Sequence, residues 1–143
     1  MTESEIQQCI IAYLSGNGWD HQLKSKGLRE HGVDIVVRDG NNKHKARYLF
    51  IECKGESTAK SAKSITETSW LYALGQIITR MKVIAKNAYL YGLGLPEKSA
   101  KIAIRRIPWK IASHLSLRIY SVNDQGQVKE YTPKDLKLLQ KGV

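Results

Sequence analysis

Three residues of this 143-residue chain combine charge and spacing in a way that could do chemistry: Asp34, Glu52 and Lys54. Glu52 and Lys54 are two positions apart in the stretch RYLFIECK, residues 47–54. On a strand, side chains two apart share a face at about 7 Å. Asp34 sits inside VDIVVR, residues 33–38, where strand propensity disfavours an aspartate. Between the two stretches Asp39-Gly40-Asn41-Asn42 is turn chemistry, so the pair reads as a hairpin. If that hairpin is symmetric about residue 43, position 34 lies opposite position 52 and all three charged groups share one face. Holding two carboxylates and an ammonium there is costly unless a cation or a polyanion completes the site. Carboxylate oxygens suit Mg²⁺, whose octahedron is filled by water and a substrate phosphate, while Lys54 could orient an attacking water and offset developing negative charge. The chemistry these groups suit is phosphodiester hydrolysis.

The elements that must position them follow from the apolar pattern. Ile6, Ile10, Ile11, Tyr13 and Leu14 recur at helical spacing after Thr2 and Glu5, which have capping-box spacing, so a first helix is expected over about 3–15, ending at Gly16-Asn17-Gly18. Trp19, His21, Leu23 and Ser25 alternate as in a weaker strand. The hairpin strands carry apolar residues on both parities, which predicts a sheet covered by helices on both faces. Residues 55–64, GESTAKSAKS, read as an exposed loop. Ser64 and Glu67 have capping-box spacing ahead of a helix to about residue 85, with Trp70, Leu74, Ile77, Met81 and Ile84 as its buried face. Beside that face runs a second stripe of Ser69, Ala73, Gln76 and Arg80. Further strands are expected at 88–93, 117–122 and 128–131, with helical material over 96–115 interrupted by Pro108 and a last helix from Thr132-Pro133. No repeat or linker divides the chain, so residues 1–143 are expected to form one domain around one sheet.

Gly32-Val33-Asp34, followed after the hairpin by Phe50-Ile51-Glu52-Cys53-Lys54-Gly55, resembles the signature of the PD-(D/E)xK nuclease superfamily. Val33 stands where the pattern usually has proline, a tolerant position. The resemblance covers roughly residues 1–95. It implies a restriction-endonuclease-like α/β fold: an αβββαβ core, a central mixed β-sheet flanked by helices, here with a C-terminal helix and β-hairpin added over about 96–143. It also implies Mg²⁺ as cofactor, with Mn²⁺ substituting, and the backbone carbonyl of Cys53 as a metal ligand beside Asp34 and Glu52. Two more positions match weaker parts of the pattern. Glu5 corresponds to an acidic residue near the metal, or is simply the capping partner of Thr2. Gln76, in LGQIITRM, resembles a glutamine motif on the helix after the metal strand, and with Arg80 could face the site, or lie on a solvated flank.

Charge points the same way. The net charge is +10, and residues 1–56 hold eight Lys/Arg against eight Asp/Glu while residues 57–143 hold fifteen against five, so the whole surplus lies in the later part. Such a surplus favours a polyanion, or serves only as a solvating surface. Lys60 and Lys63 in the loop, Arg80, and the stretch containing Lys101, Arg105, Arg106 and Lys110, with Lys98 and Trp109 nearby, are the candidate nucleic-acid contacts. The four histidines are scattered, and Cys9 and Cys53 have no partner spacing, so zinc is not expected and both thiols should be free. Every apolar run is too short for a membrane span, and the first residues lack a basic region and a cleavage site, which places the expected location in the cytosol. The expected function is a metal-dependent endonuclease acting on double-stranded or branched DNA, akin to Holliday-junction resolvases, restriction enzymes or homing endonucleases. Cutting both strands implies a homodimer or higher symmetric oligomer. The alternatives are a non-catalytic DNA- or RNA-binding protein of the same fold and a basic structural domain of a nucleoprotein assembly.

Overall fold

The computed structural model describes residues 1–21, 33–39, 47–56, 62–82 and 89–141. In chain order the described elements are α1 (Glu3–Ser15), β1 (Trp19–His21), β2 (Ile35–Asp39), β3 (Tyr48–Cys53), α2 (Ala62–Thr79), β4 (Tyr89–Pro96), α3 (Glu97–Arg106), α4 (Trp109–Leu115), β5 (Leu117–Val122), β6 (Val128–Tyr131) and α5 (Pro133–Gln140). The strands form one mixed sheet in the order β1-β2-β3-β4-β5-β6. The pairs β1/β2, β2/β3 and β5/β6 are antiparallel, and β3/β4 and β4/β5 are parallel. This is the αβββαβ α/β architecture expected of a restriction-endonuclease-like core, with helices and a β5–β6 hairpin added after β4.

Alternation along each strand divides the buried residues between two faces. On one, Ile6, Ile10 and Leu14 of α1 pack over Ile35, Val37, Leu49, Ile51, Tyr120 and Val122. On the other, α2 to α5 cover Val36, Phe50, Tyr91, Leu93, Leu95, Leu117 and Ile119. Toward the first of these faces β4 has glycine at 92 and 94: a Cβ on Gly94 would lie 2.5 Å from Ile10 Cδ1, and one on Gly92 would lie 2.9 Å from the Tyr120 ring. α1 therefore sits directly on the centre of the sheet. The capping box expected at Thr2/Glu5 is formed, and the helix expected to start at Thr132-Pro133 begins there with a further capping box to Asp135, which fixes where α1 and α5 begin.

Helix α2 departs from expectation at three points. It begins at Ala62, so Ser64 is inside its first turn, where its carbonyl accepts the Thr68 hydroxyl rather than capping. It ends at Thr79 instead of about 85, because Arg80 N–H turns to the Ile77 carbonyl and the Lys82 N–H is taken by the Tyr91 hydroxyl from β4. Its buried face centres on Ser69, Trp70, Ala73 and Ile77, with Leu74 only half-buried, so the stripe placed beside the core is partly in it. Ile84, residues 57–61 of the expected 55–64 loop and the expected 40–46 turn lie outside the described residues.

Candidate active site

The β2–β3 register pairs Ile35 with Ile51, Val36 with Phe50 and Val37 with Leu49, so each pair of numbers sums to 86. One step beyond Ile35 the same register sets Asp34 opposite Glu52. The cross-strand contact is direct: the Cys53 backbone N–H donates to Asp34 Oδ2 at 2.7 Å. Lys54 continues the strand, its N–H bonded to the Gly94 carbonyl at 3.0 Å. Asp34, Glu52 and Lys54 thus share the face that carries α2, at the C-terminal end of β3. The odd-numbered neighbours Ile51 and Cys53 face α1 and are buried there.

Glu52 is 2% exposed. Burial, then the charge of Asp34 and a hydrogen bond with it, push its carboxyl up to about 8, while Arg80 and Lys54 pull the other way. Arg80 Nη1 lies 3.2 Å from Glu52 Oε1. That contact is electrostatic only, since Oε1 has no aligned hydrogen-bond donor although it is buried. Gln76, one helical turn before Arg80, likewise buries its side-chain oxygen without a donor, while its backbone carbonyl accepts from Arg80 Nη1 at 2.8 Å. The site therefore holds two carboxylates within hydrogen-bonding reach of each other and carries more buried acceptors than donors. Among the described residues no three His, Cys, Asp or Glu side chains cluster as metal ligands. Two carboxylates completed by a carbonyl, water and substrate oxygens are nevertheless how Mg²⁺ is ordinarily held, so the donor set fits Mg²⁺ or Mn²⁺.

Glu5 does not join this group. Its carboxylate accepts the Thr2 N–H at 2.7 Å, closing the capping box. The acid of α1 that reaches the site is Glu3, whose carboxyl is pushed up by partial burial and the charge of Asp34 and pulled down by Lys54. The N-terminus of α1 is seated against the motif, because a Cβ on Gly55 would lie 2.3 Å from the Glu3 nitrogen. Two signals were present in the sequence: a glycine directly after the triplet, and a capping box that already occupied Glu5.

The basic candidates fall into separate places. Lys60 lies outside the described residues. Lys63 is exposed on the first turn of α2. Arg80 points inward onto Glu52 instead of outward. α3 starts at the end of β4 and runs back over the sheet, with Glu97 and Lys101 beside Ser121 and Asn123. Lys101 is therefore near the C-terminal strand edge that carries Lys54. Arg105 and Arg106, exposed in the last turn, lie at the far end of α3, toward the other edge. Lys110 is exposed beside the Trp109 ring, beyond them in the chain. The basic stretch is thus split between two edges.

No protein-family model matches this chain, and no curated protein does. Among solved structures it is similar to an XisH family protein from Nostoc punctiforme, at 14% sequence identity and a TM-score of 0.54 over 90% of this chain and 98% of that one. What the likeness establishes is a shared fold over nearly the full length of both chains.

Proposed function

We propose that this protein is a metal-dependent endonuclease of the PD-(D/E)xK superfamily that hydrolyses phosphodiester bonds in DNA. The observation that carries the reading is the convergence of Asp34, Glu52 and Lys54 on one face at the end of β3, with a hydrogen bond tying Asp34 to the backbone between the other two. Asp34 and Glu52, with the Cys53 carbonyl, would hold Mg²⁺ or Mn²⁺. Such an ion supplies Lewis-acid polarisation of the scissile phosphate and a more acidic bound water. Lys54 donates to the attacking water and offsets negative charge growing on the phosphate oxygens. Arg80 steadies Glu52 in its ionised form, and Gln76 offers a buried oxygen toward the same region. Double-strand cutting would require two copies of the site, hence a homodimer or a higher symmetric oligomer.

The test is incubation with supercoiled plasmid and with a synthetic four-way junction, in Mg²⁺ or in EDTA. Cutting is expected only with the metal. Glu52→Ala and Lys54→Ala should each lower the rate by about 10³-fold while leaving DNA binding largely in place. Absence of metal-dependent cutting on any DNA or RNA overturns the reading.

A further inference from the structure

On the same edge of the sheet a second polar site opens, separated from Lys54 by the start of α3. The registers place Cys53 beside Gly94 and Gly94 beside Tyr120, so the next step sets Lys54, Leu95 and Ser121 in one row on one face. Ser121 in turn pairs with Lys129 of β6, which extends the row to a fourth strand. Ser121 lies two strands, or about 10 Å, from the Lys54 position. There a cavity of about 220 Å³ opens between α3 and the β5–β6 hairpin, lined by Lys101, Ser121, Gln127, Lys129, Tyr131 and Glu97 among others.

Its polar groups are unevenly committed. Ser121 is 7% exposed, and among the described residues its hydroxyl has no hydrogen-bond partner although it lines the cavity. The Gln127 side-chain oxygen accepts from Asn123, which leaves its amide hydrogens as donors. Lys129 lies over the Tyr131 ring, 5.3 Å from its centre, so its stem is directed while its ammonium keeps its donors. Lys101 pairs with Glu97 at 3.7 Å, but both are exposed, and such a screened pair holds the lysine weakly. Two ammoniums, a hydroxyl and an amide oppose a single carboxylate.

We infer that this cavity is a phosphate subsite: Lys101 and Lys129 flank, and Ser121 and Gln127 donate to, a backbone phosphate of a nucleic-acid strand a short way along from the bond at Glu52. The ligand's identity rests on the nuclease reading, whereas the anion preference of the cavity does not. The test is fluorescence anisotropy with a labelled single-stranded oligonucleotide in EDTA, across a salt series, with inorganic phosphate as competitor. Lys101→Ala/Lys129→Ala should weaken binding about tenfold and lower the salt slope by about one. Glu97→Gln should tighten it, and Lys134→Ala/Lys141→Ala, the same charge removed from α5 and the residue after it, should cost less than half as much. Competition by millimolar phosphate alone, with no oligonucleotide binding, would assign the cavity to a free anion and overturn the strand subsite. Equal loss from both double variants would reduce it to general surface charge and overturn it too. A protein that cuts nothing yet shows the expected binding pattern would lose the nuclease reading and keep the subsite, and one that cuts but binds unchanged in Lys101→Ala/Lys129→Ala would do the reverse.

Discussion

The two faces of the sheet each bury a group of ionisable side chains, and they solve the cost of doing so differently. Beneath α1, Arg118 pairs with Glu130 at 3.6 Å, and Tyr120 packs edge-on to Tyr13. Burial drives the Tyr120 hydroxyl far above its ordinary range, so it stays neutral. Its oxygen and Arg118 Nε lack aligned partners, yet the charges of the group cancel. Beneath α2, burial and the neighbouring charge of Asp34 raise the Glu52 carboxyl, and the groups without donors are two oxygens, Glu52 Oε1 and Gln76 Oε1. Both clusters contain unpaired polar atoms, so an unpaired atom does not by itself mark a working site. The kind of atom left over does: beneath α1 it is a hydroxyl and one guanidinium nitrogen beside a charge pair that cancels, and beneath α2 it is two acceptor oxygens with no donor.

That contrast can be broken by measurement. The largest effect is expected from Glu52→Gln at alkaline pH. Because the folded state holds the Glu52 proton up to about pH 8 and an ordinary glutamate loses it near 4.5, the unfolded state binds fewer protons between those values, and native stability falls as pH rises through that window. Glutamine cannot ionise. In EDTA the variant should match the native protein near pH 4 and exceed it by roughly 2–3 kcal/mol at pH 9, read from denaturant melts, with added Mg²⁺ restoring part of the native deficit. A pH-independent difference would mean that Glu52 ionises freely.

On the opposite face Glu130→Ala should behave in the contrary way, losing about 2 kcal/mol near neutral pH by stranding Arg118, with no response to Mg²⁺ and no change in cleavage. A cleavage defect would tie the two clusters together and end the comparison. A smaller loss, about 1–2 kcal/mol, is expected for Gly94→Ala, whose new methyl meets Ile10 and the Cys53 sulfur. Thermal melts would show it, and a neutral result would mean that α1 can lift from the sheet without penalty.

Much of this was readable in the chain because it depends on alternation and turn chemistry. The strand bounds 117–122 and 128–131 and the Asp34–Glu52 facing follow from local pattern alone, and the hairpin midpoint at 43 agrees with the observed register. What was not readable depended on which way a helix turns. Glu3 and Glu5 are two positions apart on α1, so they project from nearly opposite sides, and only the docking of α1 on Gly55 selects Glu3. α2 carries apolar residues all round, with Leu71, Tyr72 and Ile78 exposed, so periodicity could not say that the Ser69–Ala73 side was the buried one. The inward turn of Arg80 follows from that rotation. The splitting of the basic stretch reflects the path of α3 between parallel strands, which composition does not encode.

The hairpin that joins Asp34 to Glu52 also fixes how this site can change by descent. Their facing depends on strand parity, and a one-residue slip moves every side chain of a strand to its other face. An insertion or deletion within β2 or β3 would therefore send one carboxylate under α1, into a layer with no room for it, while the turn between the strands can lengthen or shorten as long as the pairing is kept. The site is tolerant of new residues at the tip of its hairpin and intolerant of them along its arms.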